Sequence, residues 1–118
     1  KLLHNSVCHS IFLINCEILN IAKSYGINDI DVIDVFNKSN ARSYISESRF
    51  PNNILNGKFN GKSSIKNLKK DLGMINLILK KSNSKKKYTE LSNEILSKID
   101  DNLDMKDFTN IYKMWDKI

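Results

Sequence analysis

The sequence predicts an all-α fold, a multi-helix bundle around a long central first helix. Three observations carry this. Apolar residues recur at spacings of three and four along most of the chain. No alternating strand pattern holds for more than four residues. One Pro and four Gly in 118 residues are too few for the turns of a β-sandwich or barrel. The length suits a single domain, residues 1–118. A content of 41% hydrophobic and 27% charged residues is that of a soluble globular protein and excludes disorder.

The first helix spans Leu2 to about Tyr25. Leu3, Val7, Ile11, Ile14, Ile18, Ala22 and Tyr25 form a row spaced 4, 4, 3, 4, 4, 3, flanked by Cys8, Phe12 and Leu19. So wide an apolar face predicts a helix about 36 Å long that is contacted on most sides. Gly26 supplies the left-handed residue that stops it. Asn28 caps the second helix, with Ile30, Ile33 and Phe36 inward and Asp29, Asp31 and Asp34 near its positive end. Residues 38–43 read as a polar loop. Tyr44 to Arg49 gives a turn or two of helix, and Phe50-Pro51 is expected to stop it. Asn52 to Ser64 is a loop rich in Asn, Gly and Lys.

A strong helix follows, on Ile65, Leu68, Leu72, Ile75 and Leu79, spaced 3, 4, 3, 4. Tyr88, Leu91, Ile95 and Ile99 predict the next one, with that row inward. Asp104 reads as the cap of a last helix, Asp107 as its third residue, and Phe108, Ile111, Tyr112 and Trp115 as its inward face. The total is five main helices with a loop-rich middle.

The formal net charge is +6. It permits an anionic partner without identifying one. The densest lysine run, between Lys80 and Lys87, reads as a solvated loop, with an anion site as the alternative. Cys8 and Cys16 lie about 12 Å apart along one helix, too far to form a disulfide. A reducing, cytoplasmic setting is therefore expected. Polar residues interrupt the first helix, so no membrane span is expected. The chain opens at Lys1 inside a helical pattern, without Met or a cap residue, which suggests a piece of a longer protein.

Few residues form chemical constellations. Lys1 and Asn5 share a helix face one turn apart, with His4 beside them. An ammonium, an amide and an imidazole there suit a hydroxy-carboxylate. On spacing alone, three polar residues at a helix start read more readily as solvated surface. His4, Cys8, His9 and Cys16 lack the paired short spacings of a structural zinc site, and no metal is expected. Lys69-Lys70-Asp71 falls inside the Ile65–Leu79 helix, read as a solvated face with Asp71 partly shielded between Leu68 and Leu72.

Taken in order, several segments resemble the C-terminal helical domain of the β-hydroxyacid dehydrogenases. That family includes 3-hydroxyisobutyrate dehydrogenase and, more distantly, 6-phosphogluconate dehydrogenase. Lys1-Leu2-Leu3-His4-Asn5 is similar to its K-x-x-N-N or K-x-x-H-N segment. Glu17 to Ala22, then Tyr25-Gly26-Ile27-Asn28, resemble its E-A-L-x-L-A and G-x-D stretches. Asn37-Lys38-Ser39 matches an N-x-S run. Gly57-Lys58-Phe59 precedes Lys70-Asp71-Leu72 as G-x-F precedes K-D-L. Asp104 to Phe108 resembles the closing D-x-x-D/S segment. The sequence departs at His4, at Ser63 where Phe is common, and at Ala41 where Gly is common.

The resemblance implies hydride transfer between NAD or NADP and a small β-hydroxyacid or semialdehyde. It implies Lys1 as the acid/base, Asn5 as the residue holding substrate, and Lys70 and Asp71 lining the nicotinamide cleft, with Asp71 orienting Lys70 or nearby backbone. A lysine acts best as a base when burial brings its pKa towards neutrality. The resemblance further implies a homodimer or homotetramer, with the first helix against a partner subunit. It also implies an N-terminal Rossmann domain whose phosphate-binding turn is not in this sequence, so the piece alone is expected to be inactive. Two other readings stand beside it: a non-catalytic helical assembly domain, and a basic nucleic-acid-binding module. The lysines form no single stripe with interleaved aromatics, which disfavours the second.

Overall fold

The fold grows from the first helix, α1, Leu2–Ser24. The computed structural model describes every residue from Lys1 to Ile118. Gly26 ends α1 with a φ of 76°. α2 (Asp29–Asn37) starts where Asn28 Oδ1 accepts from the Ile30 amide at 3.0 Å. After a turn, a short π-helical stretch, Ile45–Arg49, runs directly into α3 (Phe50–Asn53). α4 (Ile65–Leu79) is capped by Ser64, and α5 (Lys87–Ser97) follows the exposed lysine-rich turn. A three-residue 3₁₀ turn, Asp101–Leu103, leads to a C-terminal 3₁₀ helix, Phe108–Lys117. There is no sheet; one isolated bridge pairs Ser64 with Asp107. The all-α prediction is met.

α2, α4, α5, the π turn and the C-terminal helix all pack on α1. The core joins Phe12, Cys16 and Leu19 of α1 to Ile65, Leu68, Leu72 and Ile75 of α4 and to Leu96 and Ile111. Its aromatic centre is Phe12 edge-on to Phe108 (5.0 Å between centroids) and Phe50 edge-on to Tyr112 (5.7 Å). Burying rings in this way adds to their area term by about 0.5–1.5 kcal/mol a pair.

Several finer expectations are corrected. The row Leu3, Val7, Ile14, Ile18 and Tyr25 faces outward, with Leu3 71% and Tyr25 80% exposed. The inward row of α1 runs through Asn5, His9, Phe12, Cys16 and Leu19, spaced 4, 3, 4, 3. Its first two members are polar, which hides it from a hydropathy reading. Pro51 does not stop the helix: it sits in the first turn of α3, where its missing N–H costs no hydrogen bond. Ile30, Tyr88 and Leu91 are exposed; Ser92, Leu96 and Ile99 carry the inward side of the α5 region. Asp107, not Asp104, caps the last helix, accepting from the Thr109 amide at 3.0 Å.

By length and mean hydropathy α1 is apolar enough to cross a membrane. In this fold it is the helix on which the others pack, and core helices share that composition.

Candidate active site

The polar beginning of the inward row meets the middle of α4. Asp71 lies beside the buried Leu72, at the edge of the face that α4 turns to α1. The Asn5 side-chain amide donates from Nδ2 to Asp71 Oδ2 at 2.9 Å. A carboxylate only accepts, so this contact fixes which end of the amide faces Asp71. The other end, Oδ1, lies 3.3 Å from His4 Nδ1. One Nδ2 hydrogen therefore remains for a further acceptor. His9 Nε2 also approaches Asp71 Oδ2, at 3.5 Å. Both groups are largely shielded: the side chains of His9 and Asp71 are 16% and 19% exposed. Burial lowers the His9 pKa below its ordinary value, outweighing the pull of the Asp71 carboxylate.

The four residues singled out from sequence are placed unequally. Asn5 and Asp71 come together although 66 positions separate them. Lys1 lies one turn before Asn5 and is exposed. Lys70 is exposed on α4 and makes no ion pair. Asp71 bonds to Asn5 and His9 rather than to Lys70. His9 is the residue that sequence reasoning missed. Its signal was the i, i+4, i+8 series with Lys1 and Asn5.

Ser10 and Ser92 hydroxyls meet at 3.0 Å between α1 and α5. Cys8 Sγ lies 3.5 Å from His4 Nε2. Cys16 is fully buried, and burial pushes its thiol well above the ordinary range. No group of three or more His, Cys, Asp or Glu is placed to hold a metal ion. Lys69 is not on a solvated face. Its ammonium donates to the Ile99 carbonyl at 2.8 Å and pairs with Asp101 and Asp104 at 2.9 and 2.6 Å.

This arrangement can fix a hydrogen-bond donor, Asn5, and set an amine, Lys1, one turn away. That combination suits a small molecule bearing an oxygen to be held and a hydroxyl to lose its proton.

Residues 1–115 match the family model described as NAD-binding of NADP-dependent 3-hydroxyisobutyrate dehydrogenase. Among solved structures, the fold is similar to Mycobacterium tuberculosis 3-hydroxyisobutyrate dehydrogenase with L-serine, at a TM-score of 0.83 and 16% identity. The match covers 98% of this chain and 42% of that one, so this chain spans less than half the length of the relative. No curated protein matches the sequence.

Proposed function

This chain belongs to the family described as NAD-binding of NADP-dependent 3-hydroxyisobutyrate dehydrogenase, and we propose that it is the C-terminal helical domain of an NAD(P)-dependent β-hydroxyacid dehydrogenase, more distantly related to 6-phosphogluconate dehydrogenase. The observation that supports this reading best is the 2.9 Å bond between Asn5 and Asp71. The two residues come from separate motifs of the resemblance and meet in one place.

In this reading Lys1 is the acid/base and Asn5 holds the substrate oxygen. NAD or NADP, when bound, would supply the hydride acceptor for the carbinol carbon. Lys1 Nζ, entering the step as the neutral amine, takes the hydroxyl proton and becomes the ammonium, so the carbinol becomes a carbonyl and no alkoxide builds up. In reduction Lys1 returns the proton. Lys1 is exposed in this chain. The exclusion of water that the step needs is assigned to a Rossmann domain closing over the row. The same domain would carry most of the dinucleotide. The residues here fit a limited share of cofactor binding. Lys70 is an exposed cation on α4 without an ion-pair partner, and in this reading it is available to line the nicotinamide cleft. Asp71 is engaged by Asn5 and serves the cleft through it. The exposed apolar row of α1 supports assembly as a homodimer or homotetramer. Two free cysteines suit a cytoplasmic setting.

The test is turnover by the complete gene product, followed by nicotinamide absorbance over a panel of small β-hydroxyacids and semialdehydes. L-Serine belongs in the panel, because the solved relative is described with it. The Lys1→Ala variant is expected to lose turnover by about 10²–10⁴-fold with cofactor binding retained. Absence of turnover on every panel member, or turnover indifferent to Lys1, would move the reading to a non-catalytic assembly domain.

A further inference from the structure

A substrate-holding amide works only if its orientation is fixed. Asn5 is a side chain with two free torsions, and its amide can present either an oxygen or an N–H. Asp71 resolves that choice by accepting from Nδ2. The Asp71 carboxylate must in turn be held, since it reaches from α4 to α1. His9 is the group on α1 that meets it. Its Nε2 lies 3.5 Å from Oδ2, the same oxygen that Asn5 uses. Because a carboxylate accepts only, Nε2 carries the hydrogen in the neutral ring. His9 follows Asn5 by four residues, so the two side chains stand one above the other on one face. The carboxylate sits across both. His9 is also shielded, at 16% exposure, so its bond is not traded freely with water.

We propose that His9 is a positioning residue: it holds the Asp71 carboxylate against Asn5, so that Asn5 presents its remaining N–H to the substrate. His9 itself does not touch the substrate. The assignment rests on the reading of Asn5 as the substrate-holding residue.

The experiment compares His9→Phe and His9→Gln in the complete protein. Phe keeps the ring volume and removes the donor. Gln keeps a donor at a similar reach. His9→Phe is expected to raise KM for the hydroxyacid about tenfold, the loss of one hydrogen bond to a charged group. The KM for the nicotinamide cofactor should stay near wild type. His9→Gln should recover most of the lost affinity. Equal impairment in both variants, or a KM unmoved by His9→Phe, would overturn the proposal.

A second readout is independent of turnover. The Asn5 side-chain amide resonances should shift in His9→Phe and return towards wild type in His9→Gln. If Asn5→Ala leaves the hydroxyacid KM unchanged, or wild type turns over nothing, the dehydrogenase reading fails. The amide resonances then still decide whether His9 positions Asn5: an unmoved amide in His9→Phe would overturn it.

Discussion

Two charged residues, Lys69 and Asp107, tie the segment after α5 to α4. Lys69 is 17% exposed and gives its ammonium to the Ile99 carbonyl and to Asp101 and Asp104. Replacing it by Met keeps the stem and removes every donor. Lys69→Met is expected to destabilise by about 1–3 kcal/mol in urea unfolding, because partly buried acceptors lose their partner. Asp107 joins the loop before α4 to the C-terminal helix, accepting from the Lys62 amide at 2.8 Å and from Thr109. Burial pushes its carboxyl up, but the donors of Thr109, Gly61 and Lys62 outweigh this and hold it below the usual range. A carboxyl whose folded pKa is depressed adds stability above its unfolded pKa. That stability is lost as pH falls through the folded value. The stability difference between wild type and Asp107→Asn should therefore be full at about pH 5 and shrink on acidification below the ordinary carboxylate range. A difference constant with pH would show that the carboxylate charge contributes nothing. Lys69 had read as one of a solvated pair with Lys70; only the fold, by bringing residues 99–104 against α4, shows that the two differ.

Helix existence was legible because period is local, whereas the choice of face was not. α1 and α4 begin and end where the 3.6 pattern and Gly26 place them, and α2 begins at its Asn28 cap. The inward face of α1 was obscured because it begins with the polar Asn5 and His9, and a competing apolar row of similar spacing runs along the opposite side. The polar start of the inward row is also the candidate site, so one feature accounts for both misreadings. Glycines test the packing of elements with opposite signs. A Cβ on Gly61 would meet Phe108 Cε1 at 2.5 Å and Thr109 Cγ2 at 2.8 Å, between the loop and the C-terminal helix. Gly61→Ala should destabilise by about 1–3 kcal/mol through overpacking. Gly73 lies inside α4 with nothing within 4 Å of its would-be Cβ. Gly73→Ala should stabilise by about 0.5–1 kcal/mol, since alanine loses less backbone entropy in a helix. Thermal unfolding of both variants decides, and a shift of the same sign in both would contradict the packing described.

At the scale of the molecule, α1 carries two apolar faces and its own domain covers only one. Phe12, Cys16 and Leu19 fill the core, while Leu3, Val7, Ile14, Ile18, Ile21 and Tyr25 lie along the other side in solvent. Single exposed apolar residues are ordinary; a continuous row the length of a 23-residue helix marks a contact surface. A second copy of the chain is the occupant proposed here, in line with the family resemblance that sets this helix against a partner subunit. Burying such a row on association removes apolar area at about 25 cal/mol per Å² before the cost of assembly is counted. Ile14→Glu with Ile21→Glu would place two charges in that seam, unpaired and desolvated. The double variant of the complete protein should run as a smaller species in light scattering. Its helicity and melting in dilute solution should remain those of the separated wild-type subunit, because neither side chain belongs to the core. An unchanged mass would exclude this face from the subunit contact. The row would then be left to cover from within the chain, and a fall in melting temperature without a change in mass would mark that outcome.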